Sequence, residues 1–197
     1  MALKFKLESG LQLLARLCKK PGIENYYPAI FDCGLKPGSI IELFSENSAN
    51  CLLYELVSEA LIPEELNGVG ASLIMFITDG NFDIKNLSKV LKHKLLKSLK
   101  CLEDINEVQI NEKLEVMLRS SLSNLFILET CNNTEFEVTI QNLGNILLKH
   151  PHVSFIIFNT LTAYYWSEQD FKNPFLNRKH FLKYKKLYKY MSIRWQY

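Results

Sequence analysis

The chain has 197 residues, 48% of them hydrophobic and 22% charged, with a formal net charge of +2, which is the composition of a globular protein and not of a disordered or fibrous one. That length suits a single α/β domain able to bury roughly 70% of its unfolded surface. The near-neutral balance excludes a molecule that is basic or acidic throughout, so any nucleic-acid face must be local.

Residues 1–6 lack the apolar core of a signal peptide, and nowhere do about 18 apolar residues run together, so neither export nor a membrane span is expected. Leu11, Leu14, Ala15 and Cys18 mark a short amphipathic helix over 10–18, stopped by Lys19, Lys20, Pro21 and Gly22. Residues 39–44, SIIELF, read as an apolar strand. A polar turn follows over 45–50, and then a helix with Leu53, Leu56, Val57, Ala60 and Leu61 on one face.

Strand, tight turn and helix in that order is where an α/β domain holds a phosphate, because the free N–H groups and the dipole at a helix start both favour an anion. The turn residues do not supply the rest of that chemistry. A loop of the form G-x-x-x-x-G-K-[ST] uses glycines to wrap the phosphates, a lysine to reach them and a hydroxyl for magnesium. Ser45, Glu46, Asn47, Ser48, Ala49 and Asn50 include no glycine and no lysine. Cys51 and Leu52 stand where the lysine and hydroxyl belong, and Glu46 adds a repelling charge.

Farther on, 71–78 (ASLIMFIT) has the continuous apolar character of a strand buried on both faces, closed by Asp79 and Gly80, with Asp79 read as a helix-leading or turn residue and, as the alternative, as the relic of a water-activating carboxylate. A helix follows with Ile84, Leu87, Leu91 and Leu95 on its apolar side; Lys85, Lys89, Lys92, Lys94 and Lys97 read as a solvated face and not as a nucleic-acid groove. Over 98–123 the periodicity is weak and suggests helical pieces around 106–117. Residues 124–129 (NLFILE) read as a strand, Asn132, Asn133 and Thr134 as a polar turn, and 134–149 as a helix with Phe136, Ile140, Leu143 and Leu147 inward. Pro151 ends that helix and 153–158 is another buried strand. Strands alternating with helices imply a mainly parallel sheet.

After Trp166 a loop broken at Asn173 and Pro174 leads to a helix over 177–190, and 192–197 reads as a last edge strand. Phe181, Tyr184, Leu187, Tyr188 and Met191 fall on the apolar side of that helix. No acidic residue follows Asp170, so this end of the chain is locally basic. The five cysteines, Cys18, Cys33, Cys51, Cys101 and Cys131, contain no C-x-x-C pair, which argues against a zinc site or disulfide framework and for a reducing compartment. His150 and His152 have no acidic or cysteine partner at metal-ligand spacing and read as a solvated turn. No G-x-S-x-G, H-E-x-x-H or G-x-G-x-x-G motif is present.

Four blocks carry a resemblance. Gly38-Ser39-Ile40-Ile41-Glu42-Leu43-Phe44-Ser45-Glu46 resembles the G-S-I-T-E-L-F-G-E run that leads into the phosphate loop of RecA-type recombinases and their eukaryotic paralogues, with Ser45 in place of the first loop glycine. The run ESGLQLLARL at 8–17, Leu61-Ile62-Pro63, and NTLTAYYW at 159–166 are similar to blocks of a short member of that paralogue group. All four occur in order over residues 8–166.

The resemblance implies an α/β, RecA-like P-loop core with a mainly parallel sheet flanked by helices. It makes 1–197 one domain, with 1–38 as N-terminal helix and lead-in, no separate N-terminal helical domain, and a shortened C-terminal side. It sets Asn159 where the magnesium-supporting aspartate of such a core stands, and an amide brings no charge there. The implied protein is a noncatalytic subunit, with no catalytic residues, nucleotide cofactor or metal, of a nuclear hetero-oligomer with another recombinase paralogue of the D type. Its work is homologous recombination repair, assisting recombinase on single-stranded DNA. The resemblance puts the partner's extended linker near Leu125, Ile127, Val138, Gln141 and Asn142, and DNA near Lys172, Arg178 and Lys179. An active DNA-dependent P-loop ATPase with an atypical pocket, or an α/β interaction domain outside repair, are the alternatives.

Overall fold

The computed structural model describes residues 9–10, 13, 26–31, 35, 38–43, 49–102, 107–160 and 163–164. At its centre lies β1, Ser72–Ile77, with all six residues buried. The run SLIMFI carries nothing polar after Ser72, as a strand requires when helices cover both its faces and strands flank both its edges. β1 pairs in parallel with β2, Leu125–Glu129, on one side and with β3, Val153–Asn159, on the other, in the order β2-β1-β3.

Because side chains alternate along a strand, β1 feeds two cores. Leu73, Met75 and Ile77 pack with helices α1 (Asn50–Leu61), α2 (Ile84–Leu102) and α3 (Glu107–Ser123). Ile74 and Phe76 pack with α4 (Asn133–Lys149) on the opposite face. There Phe76 stacks on Phe158 at 4.7 Å between ring centroids, and Phe136 meets both edge-on at 6.1 and 6.3 Å. On the other side α2 presents Leu87, Leu91, Leu95 and Leu99, one per turn and all at most 1% exposed. Each such leucine contributes about 1.5–3 kcal/mol of hydrophobic stabilisation.

Between α1 and α2 sits a charge in a half-buried place. Lys94 Nζ lies 2.8 Å from Glu55 and 2.9 Å from Glu59, and 5.5 Å from the Tyr27 ring centroid. Burial works against its charge, but the hydrogen bonds to Glu55 and Glu59 outweigh it and hold the ammonium above the usual lysine value. Nearby, the buried Tyr26 hydroxyl donates to the Leu56 carbonyl at 2.7 Å, tying the lead-in to α1. Burial pushes that phenol upward in pKa. The chain leaves α1 through a turn with Asn67 in the left-handed region at φ 59°, and Gly68 passes so close that a Cβ there would lie 2.2 Å from the Ile62 oxygen.

The strands and helices expected at 71–78, 84–95, 124–129, 134–149 and 153–158 are present, and the predicted inner face of α1 is buried residue for residue. Three expectations are corrected. Residues 39–43 form no strand: Ile40, Ile41 and Leu43 are 54%, 43% and 38% exposed. Both edges of β1 are taken, and no described strand pairs with 39–43, so this apolar run has no ladder. Within the weak region over 98–123, 98–102 are the end of α2 and 107–123 one helix of 17 residues, α3. Its pattern is blurred because Val116 is 68% exposed while Ser121 is 1% exposed, each opposite to its polarity. Ile84 opens α2 at 37% exposure and does not join the leucine face.

Gly10 and Leu13 are helical, with the Leu13 amide donating to the Ser9 carbonyl at 2.9 Å. The rest of the predicted first helix and everything predicted after Tyr164 lie outside the described residues. No helix among the described residues is long and apolar enough to cross a membrane.

Candidate functional site

The carboxyl ends of the strands are where an α/β sheet presents its ligand crevice, and here they are stitched to one another. The Thr78 amide donates to the Asn159 carbonyl at 2.9 Å, and the Thr130 amide to the Ile77 carbonyl at 3.0 Å. Thr78 Oγ1 accepts from the Thr160 amide at 2.9 Å and donates to the Thr160 carbonyl at 2.5 Å. Tyr164 closes the group with its hydroxyl donating to the Thr130 carbonyl at 2.5 Å. Threonines and a tyrosine hold the strand ends together through neutral hydrogen bonds.

Among the described residues, the side chain that closes β3 at this end is an amide and not a carboxylate. Asn159 is 8% exposed and its Nδ2 has no partner among the described residues. An orphaned N–H donor is the wrong polarity for a cation, which needs oxygen acceptors. Asp79, the nearest carboxylate in sequence to β1, is engaged with Asn81, accepting from its amide at 3.1 Å and its side chain at 3.3 Å, which makes it the turn residue expected. At the start of α1, Ala49 provides no side-chain cap, and the Asn50 side chain donates to the Asn81 carbonyl at 2.9 Å. Leu52, which the sequence comparison with a phosphate loop sets where a hydroxyl is wanted, packs against the core. Ser45, Glu46, Asn47 and Ser48 lie outside the described residues.

The second region is the open side of β2. Its residues point alternately to the two faces: Phe126 and Leu128 join the α4 core, while Leu125 packs with the α2 and α3 side and Ile127 shares that face, 37% exposed. Val138, 60% exposed, lies with Gln141 and Asn142 on the outer surface of α4, on the other side of the sheet. The five residues expected to share one pocket are therefore divided by the sheet edge, because parity along β2 sends 125 and 127 away from α4. Asn142 is engaged locally, its Oδ1 accepting from Asn145 Nδ2 at 2.7 Å.

Beside Val138 is a shallow depression lined by Asn132, Thr134, Glu135, Val138 and Thr139. Glu135 and Thr139 are the two that the sequence reading did not name, although Asn132 and Glu135 carry a readable signal as a capping pair at three-residue spacing. Asn132 Oδ1 accepts from the Glu135 amide at 2.9 Å, and the Glu135 carboxylate accepts from Asn132 Nδ2 at 2.8 Å and from the Cys131 amide at 2.9 Å. The expected polar turn at 132–134 is thus the N-terminus of α4. At the opposite end of the sheet His150 and His152 flank Phe126, with ring centroids 4.5 and 6.3 Å from it. Among the described residues no three metal-ligating side chains converge. Lys172, Arg178 and Lys179 lie outside the described residues.

A parallel sheet with helices on both faces and a strand-order reversal about β1 is an α/β core of the RecA-like kind, in agreement with the fold implied by the four sequence blocks. No family model matches the chain. The chain is similar to the DNA repair protein XRCC2 of Mus musculus, at 24% identity over 168 residues, which covers 83% of this chain and 55% of that protein. The chain therefore spans about half the length of the curated relative it matches.

Proposed function

We propose that the chain acts in DNA repair by homologous recombination as a noncatalytic, nuclear subunit that binds another recombinase paralogue, of the D type, and assists recombinase on single-stranded DNA. The observation that carries this reading is the similarity to a DNA repair protein over 83% of the chain. The noncatalytic part is supported by the buried amide of Asn159, which the resemblance sets where a metal-supporting aspartate stands, and by turn residues that lack phosphate chemistry.

The partner surface is the edge of β2 together with α4. β2 pairs with β1 alone among the described strands, so its outer N–H and C=O groups are available to an added strand. Such a strand alternates its side chains, reaching Ile127 and Leu125 on one face and the surroundings of Val138, Gln141 and Asn142 on the other. The division of these residues by the sheet edge is compatible with that mode. Direct contact with single strands falls to Lys172, Arg178 and Lys179, each lost phosphate contact flattening the salt dependence by roughly 0.7 on a log–log scale.

Two measurements test the reading. Capture of a paralogue by the full chain is expected to be lost in Val138→Asp and Ile127→Asp variants whose far-ultraviolet circular dichroism and melting are unchanged; retained capture by both moves the interface elsewhere. ATP with magnesium is expected to leave the melting temperature unchanged. Bound nucleotide at 100 times its dissociation constant adds about 2.7 kcal/mol, so a saturable upward shift overturns the noncatalytic assignment.

A further inference from the structure

The helix α2 carries six lysines and no acidic residue: Lys85, Lys89, Lys92, Lys94, Lys97 and Lys100. Read as sequence they look alike, but the fold divides them. Lys94 is held between Glu55 and Glu59, and Lys92 is paired with Glu115 of α3 at 2.5 Å. Lys85, Lys89, Lys97 and Lys100 are exposed and make no ion pair among the described residues. Lys85, Lys89, His93 and Lys97 recur every four residues, and Lys100 continues the row, so the helix geometry gathers them on one solvent face about 22 Å long.

Among the described residues no carboxylate pairs with any of these four lysines. Like charges at four-residue spacing repel, and Lys85 lies in the first turn, where the helix dipole disfavours a cation and where α2 has no acidic residue. Asp83, just before the helix, accepts from the Lys85 backbone amide at 2.8 Å and so serves as the cap. The face also lacks what a protein partner would grip. Among the described residues the exposed large apolar side chains of α2 are limited to Ile84 at its first position, and the helix has no Phe, Tyr or Trp.

We infer that this lysine face binds the phosphate backbone of duplex DNA without reading sequence. Flexible point charges on a convex helix suit phosphates and reach no base edges, and a face without aromatic rings offers no stacking platform for a single strand. Duplex DNA carries a phosphate every 3.4 Å or so along each strand, ample to engage four lysines over about 22 Å. The choice of DNA among polyanions rests on the repair reading; the lysine face itself does not, and it shares no residue with the proposed partner surface.

The test is anisotropy of labelled random duplex and random single strand with the full chain, across roughly 50–200 mM salt. The Lys85→Ala, Lys89→Ala, Lys97→Ala, Lys100→Ala variant is expected to weaken duplex binding at least tenfold and to flatten its salt slope by about 0.9 per lost contact, up to about 3.6 in all. Alanine is a strong helix former, so circular dichroism should be unchanged, and the fourfold Lys→Arg variant should keep the wild-type slope. Capture of the partner paralogue should be unaffected by either variant, which separates failure here from failure of the repair reading. A duplex slope unchanged by the alanine variant overturns the inference. So does loss confined to single strands, or loss of binding to polyglutamate with duplex binding intact, which would make the face a dock for an acidic protein.

Discussion

Two apolar runs of nearly the same make-up meet different fates in this molecule. Residues 72–77, SLIMFI, become the fully buried central strand, whereas 39–43, SIIEL, lie exposed and outside the sheet. Both satisfy the rule that a short run of branched and long apolar residues is a strand. What separates them is the company each keeps: β1 has a parallel partner on either edge and helices over both faces, and 39–43 has no described ladder. A strand is a property of its neighbours before it is a property of its residues.

The contrast predicts unequal sensitivity. Phe76→Ala removes a ring that packs against Phe158 and Phe136 at the centre of the second core, and should cost about 3–5 kcal/mol in urea unfolding. An effect below about 1 kcal/mol would mean the sheet is not the stable centre. Ile41→Ala is the matched control and should stay within about 0.5 kcal/mol of the parent; a larger loss would reveal a packed environment for 39–43.

Between those extremes stand the contacts that fasten α1 to its surroundings. Lys94→Met should cost about 1–2 kcal/mol, because Glu55 and Glu59 lose their shared cation in a half-buried place while partial exposure tempers the effect. The pH dependence has a definite sign. The folded pKa of Lys94 is raised, so its contribution is fully present below the ordinary lysine value of about 10.4 and is lost as pH rises through the folded value. Unfolding titrations of parent and variant should therefore converge on the alkaline side of pH 10 and stay apart at pH 7. Tyr26→Phe should cost about 1 kcal/mol, since it removes the donor to the Leu56 carbonyl and leaves the ring in place. A negligible change would put the lead-in at 26–31 with 39–43 as a region the core does not depend on.

Much of the candidate site was legible in residue types. The missing glycines and lysine of the 45–50 turn, and an asparagine at position 159, are visible by reading, because the chemistry of phosphate and magnesium depends on which atoms are present. Their arrangement was not legible. That Asn159 is buried, with a donor that has no partner among the described residues, follows from its place at the end of β3 beside Thr78, which no local pattern states. Asn132 is visible in sequence as part of a polar triplet at 132–134, but its cap on Glu135 is not, since such a triplet looks the same before a helix as within a loop.

Local periodicity alone determined the strands around β1, the inner faces of α1 and α4, and the leucine ladder of α2, because a two-residue or 3.6-residue repeat is written directly in the order of side chains. The tertiary structure decided everything that depends on pairing across the chain. It chose which apolar run entered the sheet, and it placed Ile127 and Val138 on opposite sides of the β2 edge. It also gave Lys92 and Lys94 carboxylate partners from α3 and α1 while leaving Lys85, Lys89, Lys97 and Lys100 to solvent. Six lysines on one helix are equivalent until other helices pack beside them, since Coulomb attraction and burial act over a few ångströms in space, whatever the separation along the chain.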